Sequence, residues 1–215
     1  MSKDISLDTL ERELRANAGG DPDGVDSATG RLAEMAAAEG LLDVAYATTD
    51  TPVGDVLVAT TPRGVVRIAY PRERPDDVLA ELARDVSPRV IESPRELDPL
   101  RRELDEYFEG RRRRFDLPVD WRLSHGFTRQ ALEALPRIPY GGTITYSELA
   151  QRAGSPRAYR AAGSACGSNP IPIVVPCHRV VRSGGELGGY GGGIEVKQFL
   201  LKLEGALDDL TSPMR

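Results

Sequence analysis

The sequence predicts an α+β chain: a small mixed domain built on a β-meander with helices, followed by a helical domain carrying a helix-turn-helix. Three observations lead there. The runs VAYATTD, GDVLVATT and VVRIAY, between Val44 and Tyr70, are rich in β-branched residues and separated by turn residues, the last break being PRG at 62–64. Asp77–Asp85 and Glu96–Phe108 then repeat apolar residues at helical spacing. Beyond Trp121, short helical segments alternate with Gly and Pro turn signals.

With 215 residues, 40% of them hydrophobic, the chain can bury a core in one large or two small domains. No apolar run approaches the roughly 20 residues that span a bilayer, and MSKDISLDTL lacks the basic-then-apolar order of a secretory leader. A soluble, cytoplasmic protein with no membrane partner is expected. Two cysteines, Cys166 and Cys177, and two histidines, His125 and His178, build neither a disulfide framework nor a four-ligand zinc site. The net charge of −5 is unevenly spread: residues 1–118 hold 17 Lys+Arg against 25 Asp+Glu, residues 119–215 hold 11 against 8. The basic half suits a module facing phosphates, although most such imbalance is solvated surface.

Residues 1–41 read as a helical extension, with Leu7, Leu10 and Leu14 in a stripe, GGDPDG as a break, and RLAEMAAAEG as a second segment. The mixed domain covers 42–118, and its second helix carries Leu97, Leu100, Leu104 and Phe108, with Gly110 as the stop. GRRRRFDLPVDW, with arginines at 111–114, reads as a solvated linker in preference to a DNA contact. The C-terminal domain covers 119–215. Phe127–Leu135 is its first helix, closed by IPYGG. Thr145 with Glu148 makes a capping box for a second helix that Gly154 ends. Ser155 is expected to cap a third, with Pro156 at its first position, running through Arg157, Arg160 and Ala161 to Cys166. These two helices make the helix-turn-helix. Ala158, Ala161, Ala162, Gly163, Ala165 and Gly167 keep the third helix narrow, which suits either close approach to a nucleic-acid groove or close helix packing.

The candidate chemistry lies in VVPCHRVV, 174–181. A buried cysteine is usually a small hydrophobe, and strand neighbours point to opposite faces, so Cys177 beside His178 settles nothing alone. Pro170 and Pro172 predict an extended lead-in to the cysteine. Asn169, before Pro170, favours a turn whose side-chain amide fastens the backbone around it. GGELGGYGGG places Tyr190 beside Gly191 and Gly192 in a loop so rich in glycine that a flat ligand can approach its backbone. The helix Glu195–Leu203 follows.

PCHRV, preceded by NPIPIV and followed by the glycine-rich loop with its tyrosine, resembles the active-site signature of the methylated-DNA–protein-cysteine methyltransferases, the O6-alkylguanine-DNA alkyltransferase family. IPYGGTITYSELAQRAGSPRAYRAAGSACGSNP resembles that family's DNA-binding motif. The resemblance spans residues 126–205, reaches more weakly back to 43, and leaves out 1–41. It implies a ribonuclease-H-like N-terminal domain, a winged-helix-type C-terminal domain, and DNA repair by a single transfer of the O6-alkyl group of guanine, with O4-methylthymine as a further candidate, to an internal cysteine.

On this resemblance Cys177 is the acceptor, His178 takes its proton through a bridging water, Glu204 orients that histidine, and Asn169 holds the turn. Tyr146 donates toward the departing base and crowds the 3′ phosphate. Tyr190 stacks at the pocket wall, the Val180 backbone reads the base edge, and Gly191, Gly192 and Pro172 complete the pocket. The nucleotide must be flipped out, and Arg160 fills the vacated stack. Ser155, Arg157, Ala161 and Gly163 belong to the minor-groove surface. The implied partner is double-stranded DNA carrying O6-alkylguanine, met by a monomer with no cofactor, metal or obligate protein partner and consumed stoichiometrically.

Tyr159 stands where the family commonly has alanine, and ALEAL at 131–135 replaces a usual valine–tryptophan pair; both bear on packing and substrate range. Cys166 reads as a packing residue and His125 as a surface or interdomain one. Three rivals fit less well. A non-catalytic alkylated-base sensor lacks the acceptor cysteine, a helix-turn-helix regulator leaves Cys177, His178 and Glu204 unexplained, and a cysteine hydrolase needs an oxyanion hole and a separate histidine.

Overall fold

The structure, a computed structural model, describes residues 42–207; the helical segments expected within 1–41 lie outside the described residues. Strands β1 (Val44–Thr49), β2 (Val56–Thr61) and β3 (Gly64–Ala69) form the antiparallel meander that the period-two runs predict. A fourth strand, β4 (Val90–Glu92), pairs parallel with β1 and completes the sheet order β3-β2-β1-β4. It is too short to show a period.

Helix α1 (Pro75–Asp85) begins two residues before the expected Asp77, because a proline is tolerated in a first turn whose N–H groups have no intrahelical partner. Asp76 and Asp77 sit at its positive end. It lays Val78 and Leu82 against Val44, Leu57, Ala59 and Val66 of the sheet, each such burial contributing about 1.5–3 kcal/mol. Helix α2 (Asp98–Phe108) follows a 3-10 turn at Pro94–Leu97 and buries Leu100, Leu104 and Tyr107. Of the arginine run, Arg111, Arg113 and Arg114 are exposed, as a solvated linker expects, and Arg112 departs from it. Arg112 Nε lies 2.8 Å from Glu106 and its Nη1 2.8 Å from Asp116, which folds the connection back onto α2.

The C-terminal half contains α3 (Gly126–Ala134), β5 (Ile144–Thr145), α4 (Tyr146–Arg152), α5 (Tyr159–Gly167), β6 (Val180–Val181) and α6 (Ile194–Leu203). The capping box forms: Glu148 N–H donates to Thr145 Oγ1 at 3.2 Å and Thr145 N–H to Glu148 Oε2 at 2.6 Å. The expected Ser155 cap does not. Ala158 N–H donates to the Ser155 carbonyl at 2.9 Å, so Ser155–Ala158 closes a β-turn and α5 starts only at Tyr159. Pro156 occupies the second turn position, which its fixed φ suits as well as a helix start.

Strands β5 and β6 pair in parallel, setting the start of α4 beside the residues that follow Cys177. The halves are joined by backbone bonds: Ile68 N–H to the Pro170 carbonyl at 2.8 Å, Val65 N–H to Pro118 at 2.9 Å, and Asp120 N–H to Val65 at 2.8 Å. The described residues from Asp43 onward belong to one compact unit. Among the described residues no helix is long and apolar enough to cross a membrane.

Candidate active site

The lead-in to the cysteine is coiled, contrary to the extended one the prolines predict. Val175 N–H donates to the Ile171 carbonyl and Val174 N–H to Pro172, both at 2.9 Å, and Ile173 takes φ +73 between them. A β-branched residue in the left-handed region is strained by about 1–3 kcal/mol. Asn169 pins the coil: its Nδ2 donates to the Val175 carbonyl at 2.8 Å, and its Oδ1 accepts from Ile171 N–H at 3.1 Å. Cys177–Arg179 is then a 3-10 turn and not a strand. Successive side chains therefore diverge by about 120° instead of opposing one another, so Cys177 and His178 face different neighbours without lying on opposite faces.

Cys177 is 4% exposed, and Asn169 Nδ2 also reaches its Sγ at 3.1 Å. Burial pushes the thiol up to about 11, with the Asn169 bond and the Lys197 charge pulling the other way. His178 is fully buried. Its Nε2 lies 2.9 Å from Glu204 Oε1, while Nδ1 has no hydrogen-bonding partner among the described residues. Burial lowers its pKa despite the Glu204 carboxylate. The imidazole is therefore neutral, donating through Nε2–H and keeping a lone pair on Nδ1.

Glu204 sits just beyond α6 and collects donors that sequence reading missed. Tyr107 donates its hydroxyl at 2.7 Å, Arg179 approaches with Nε at 2.8 Å and Nη2 at 2.9 Å, and Gly141 N–H donates at 3.3 Å. Burial opposes the charge, but the bonds from His178 and Arg179 prevail and hold the carboxyl at about 2. Arg179 also donates to the Ile138 carbonyl at 2.7 Å. A second missed residue is Lys197, fully buried, whose Nζ donates to the Val180 carbonyl at 2.6 Å and to the Leu187 carbonyl. Burial lowers it to about 8. The available signal was a charged residue inside an apolar stretch: Arg179 within VVPCHRVV, and Lys197 one helical turn before Leu200 and Leu201.

Cys177 opens onto a cavity of about 380 Å³ whose lining includes Tyr70, Cys166, Asn169, Pro172, Tyr190 and Gly191. Cys166 is buried, as a packing residue should be, yet it also faces this cavity. Val180 and Gly192 do not line it. Val180 is fully buried with its carbonyl committed to Lys197, and Gly192 backs onto the Tyr70 ring.

Tyr146 lies to the side, its ring between Gly163 of α5 and Gly188 of the loop. At Gly188, φ is +69 and a Cβ would come within 2.9 Å of the Tyr146 hydroxyl, so glycine is required twice over. This loop's glycines thus admit tyrosine rings of the chain itself, where the sequence pointed to a flat ligand; Gly191 alone among these loop-lining positions has open space in front of it as well as a place on the cavity wall. Burial raises the Tyr146 phenol to about 12, so it carries its proton at neutral pH.

On α5, Ala162, Ala165 and Cys166 are buried, while Tyr159, Arg160 and Ala161 are exposed, as is Arg157 in the preceding turn. Ser155 is half-buried and His125, at the start of α3, is exposed. The Arg160 guanidinium rests 5.6 Å from the centroid of the Tyr159 ring. Among the described residues no group of three or more His, Cys, Asp or Glu side chains could hold a metal ion.

Comparison with known proteins matches both halves. A family model described as "6-O-methylguanine DNA methyltransferase, DNA binding domain" covers residues 126–206, and one described as "6-O-methylguanine DNA methyltransferase, ribonuclease-like domain" covers 44–121. A methylated-DNA–protein-cysteine methyltransferase of Methanosarcina barkeri is 38% identical over 159 residues, 74% of this chain and 96% of the relative. One from Mycolicibacterium paratuberculosis is 50% identical over 113 residues, 53% of this chain and 68% of the relative. The crystal structure of Mycobacterium tuberculosis OGT in complex with DNA superposes with a TM-score of 0.65 at 35% identity, covering 76% of this chain and 94% of that one.

Proposed function

The chain belongs to the 6-O-methylguanine DNA methyltransferase family, and from that membership we propose that it repairs alkylated DNA by moving the O6-alkyl group of guanine onto its own Cys177. The observation that carries this reading is the placing of Cys177 Sγ: at the wall of the cavity, 3.1 Å from Asn169 Nδ2, one residue from a neutral buried histidine. A thiol at about 11 is almost wholly protonated at neutral pH, and ionising it unaided costs roughly 5 kcal/mol. The reaction therefore needs a base.

His178 supplies one. With Nε2–H committed to Glu204, Nδ1 accepts the Cys177 proton through a bridging water, and the imidazolium is stabilised by Glu204. Sγ then attacks the alkyl carbon; the S–C bond forms as the C–O6 bond breaks and its electron pair passes to O6 of guanine. The Tyr146 phenol, protonated at neutral pH, is the donor that compensates the charge on the leaving base. The thioether left on Cys177 is a stable product, so each chain acts once.

The base reaches Cys177 only when extruded from the duplex, at a cost of a few kcal/mol. The exposed Arg160 and Arg157, beside the small Ala161, form the surface that meets the minor groove, with Arg160 entering the space the base leaves. We place this activity in the cytoplasm, where a reducing environment suits two free thiols, Cys166 and Cys177. Cys177→Ala tests the assignment: it should still bind duplex DNA holding O6-methylguanine while leaving every methyl in place. Methyl removal by that variant would overturn it.

A further inference from the structure

We infer that Tyr70, a residue of the N-terminal domain, is a specificity-determining residue that limits the size of the alkyl group the cavity accepts. The inference rests on the reading of Cys177 as acceptor and extends it to another residue of the cavity lining. Tyr70 follows β3, is 3% exposed, and lines the same cavity as Cys177. Its hydroxyl lies 2.8 Å from that of Tyr190, and the two rings tilt together with centroids 5.8 Å apart. Tyr190 in turn stands edge-on to His178, centroids 6.4 Å apart. A chain of three rings thus runs from the N-terminal domain to the base beside the acceptor.

The glycine-rich loop closes against this brace. A Cβ at Gly192 would lie 2.9 Å from Cε2 of Tyr70 and 3.0 Å from Cδ2, so the loop backbone already touches the ring. The stem of the loop is held by Lys197, which donates to the Leu187 carbonyl. The wall formed by Tyr190 and Gly191 therefore has a buried aromatic ring directly behind it. An alkyl group larger than the free space must push that wall outward, and close-packed interiors resist such displacement. The cavity's volume of about 380 Å³ stands near the lower end of the range of about 300–1,000 Å³ for small-molecule sites, and the extruded guanine takes up part of it before any alkyl group is placed.

Tyr70 itself is held from two sides. Its N–H donates to Glu73 Oε1 at 3.0 Å, and the preceding Ile68 N–H is bonded to the Pro170 carbonyl next to Asn169. The backbone that carries the ring is thereby tied to the turn that leads to the acceptor. The hydroxyl pair sets the orientation of Tyr190, and the ring volume sets how far the wall can retreat.

The test compares single-turnover transfer rates for duplexes carrying O6-methylguanine and O6-benzylguanine, in the full chain and in Tyr70→Ala, Tyr70→Leu and Tyr70→Phe. The benzyl-to-methyl rate ratio should rise about tenfold or more in Tyr70→Ala and Tyr70→Leu, and stay within about twofold of the parent in Tyr70→Phe, which keeps the ring. A ratio unchanged in both Ala and Leu variants overturns the inference, as does an equal rise in Tyr70→Phe. If the Ala variant does not fold, the Leu variant decides. Should the parent chain transfer neither group, the reading of Cys177 fails; transfer with an unaltered ratio sinks only the role of Tyr70.

Discussion

Glu204 Oε1 holds His178 Nε2 at 2.9 Å inside the protein, while Arg179 occupies the same carboxylate. The carboxylate orients the imidazole and burial keeps it neutral, with Nδ1 as its one basic position. His178→Ala should lower the single-turnover rate at neutral pH by about 10²–10⁴-fold, the usual worth of a general base. The deficit should narrow as the pH climbs toward the Cys177 value of about 11, where the thiol ionises without help. Rapid-quench rates across the alkaline range check this; a deficit independent of pH would contradict the relay.

Acid stability follows from the same carboxylate. Glu204 titrates at about 2 in the folded chain and near 4.5 when unfolded. It contributes stability, on the order of 3 kcal/mol, that is fully present above 4.5 and lost as the pH falls toward 2. His178, whose folded pKa lies below 6.5, adds a loss beginning below 6.5, since the unfolded chain takes up that proton first. Urea unfolding over this range should show both limbs. Glu204→Gln should flatten the lower one and, by stranding the buried Arg179 charge, cost about 3–5 kcal/mol at neutral pH.

Asn169 joins the coil to the sulfur through one amide nitrogen. Asn169→Ala should destabilise the chain by about 1–3 kcal/mol, because the Ile171 N–H loses its partner and the Val175 carbonyl keeps only the bond from Cys177 N–H, while Ile173 stays strained. It should also raise the Cys177 pKa further, by removing the bond that favours the thiolate. Alkylation of Cys177 by iodoacetamide, followed against pH, reads that shift as a displacement of the rate profile to higher pH.

Arg160 is exposed, with its guanidinium resting against the ring of its neighbour Tyr159. Arg160→Ala should slow repair of duplex O6-methylguanine about tenfold or more while leaving transfer from free O6-benzylguanine within about twofold, since only the duplex must be opened. Equal losses on both substrates would remove it from base flipping.

What the sequence made legible was local or periodic. The capping box of Thr145 and Glu148 needs two residues three apart, and the meander needs alternation within each run; both are present in the fold. Local signals also misled where two structures share them. Ser155–Pro156 suits a helix start and a β-turn alike, and only the Ala158 to Ser155 bond decides. The two prolines before Cys177 pointed to an extended chain, but Asn169 and the bond from Ile68 fold it into turns. β4 has three residues and exists through β1, 46 positions away by the Val44–Val90 register. The partners of Glu204 are farther still in sequence, Tyr107 by 97 residues, and Tyr70 meets Tyr190 across 120. Such pairings are set by tertiary packing and leave no spacing to read.

The most direct test weighs the sulfur itself. The full chain is incubated with a duplex carrying O6-methylguanine, digested, and its cysteine peptides resolved by mass spectrometry. The account requires one methyl in place of the thiol hydrogen on the peptide holding Cys177, in an amount equal to the guanine repaired. Methyl found on the Cys166 peptide, or guanine repaired in excess of methylated Cys177, would contradict it.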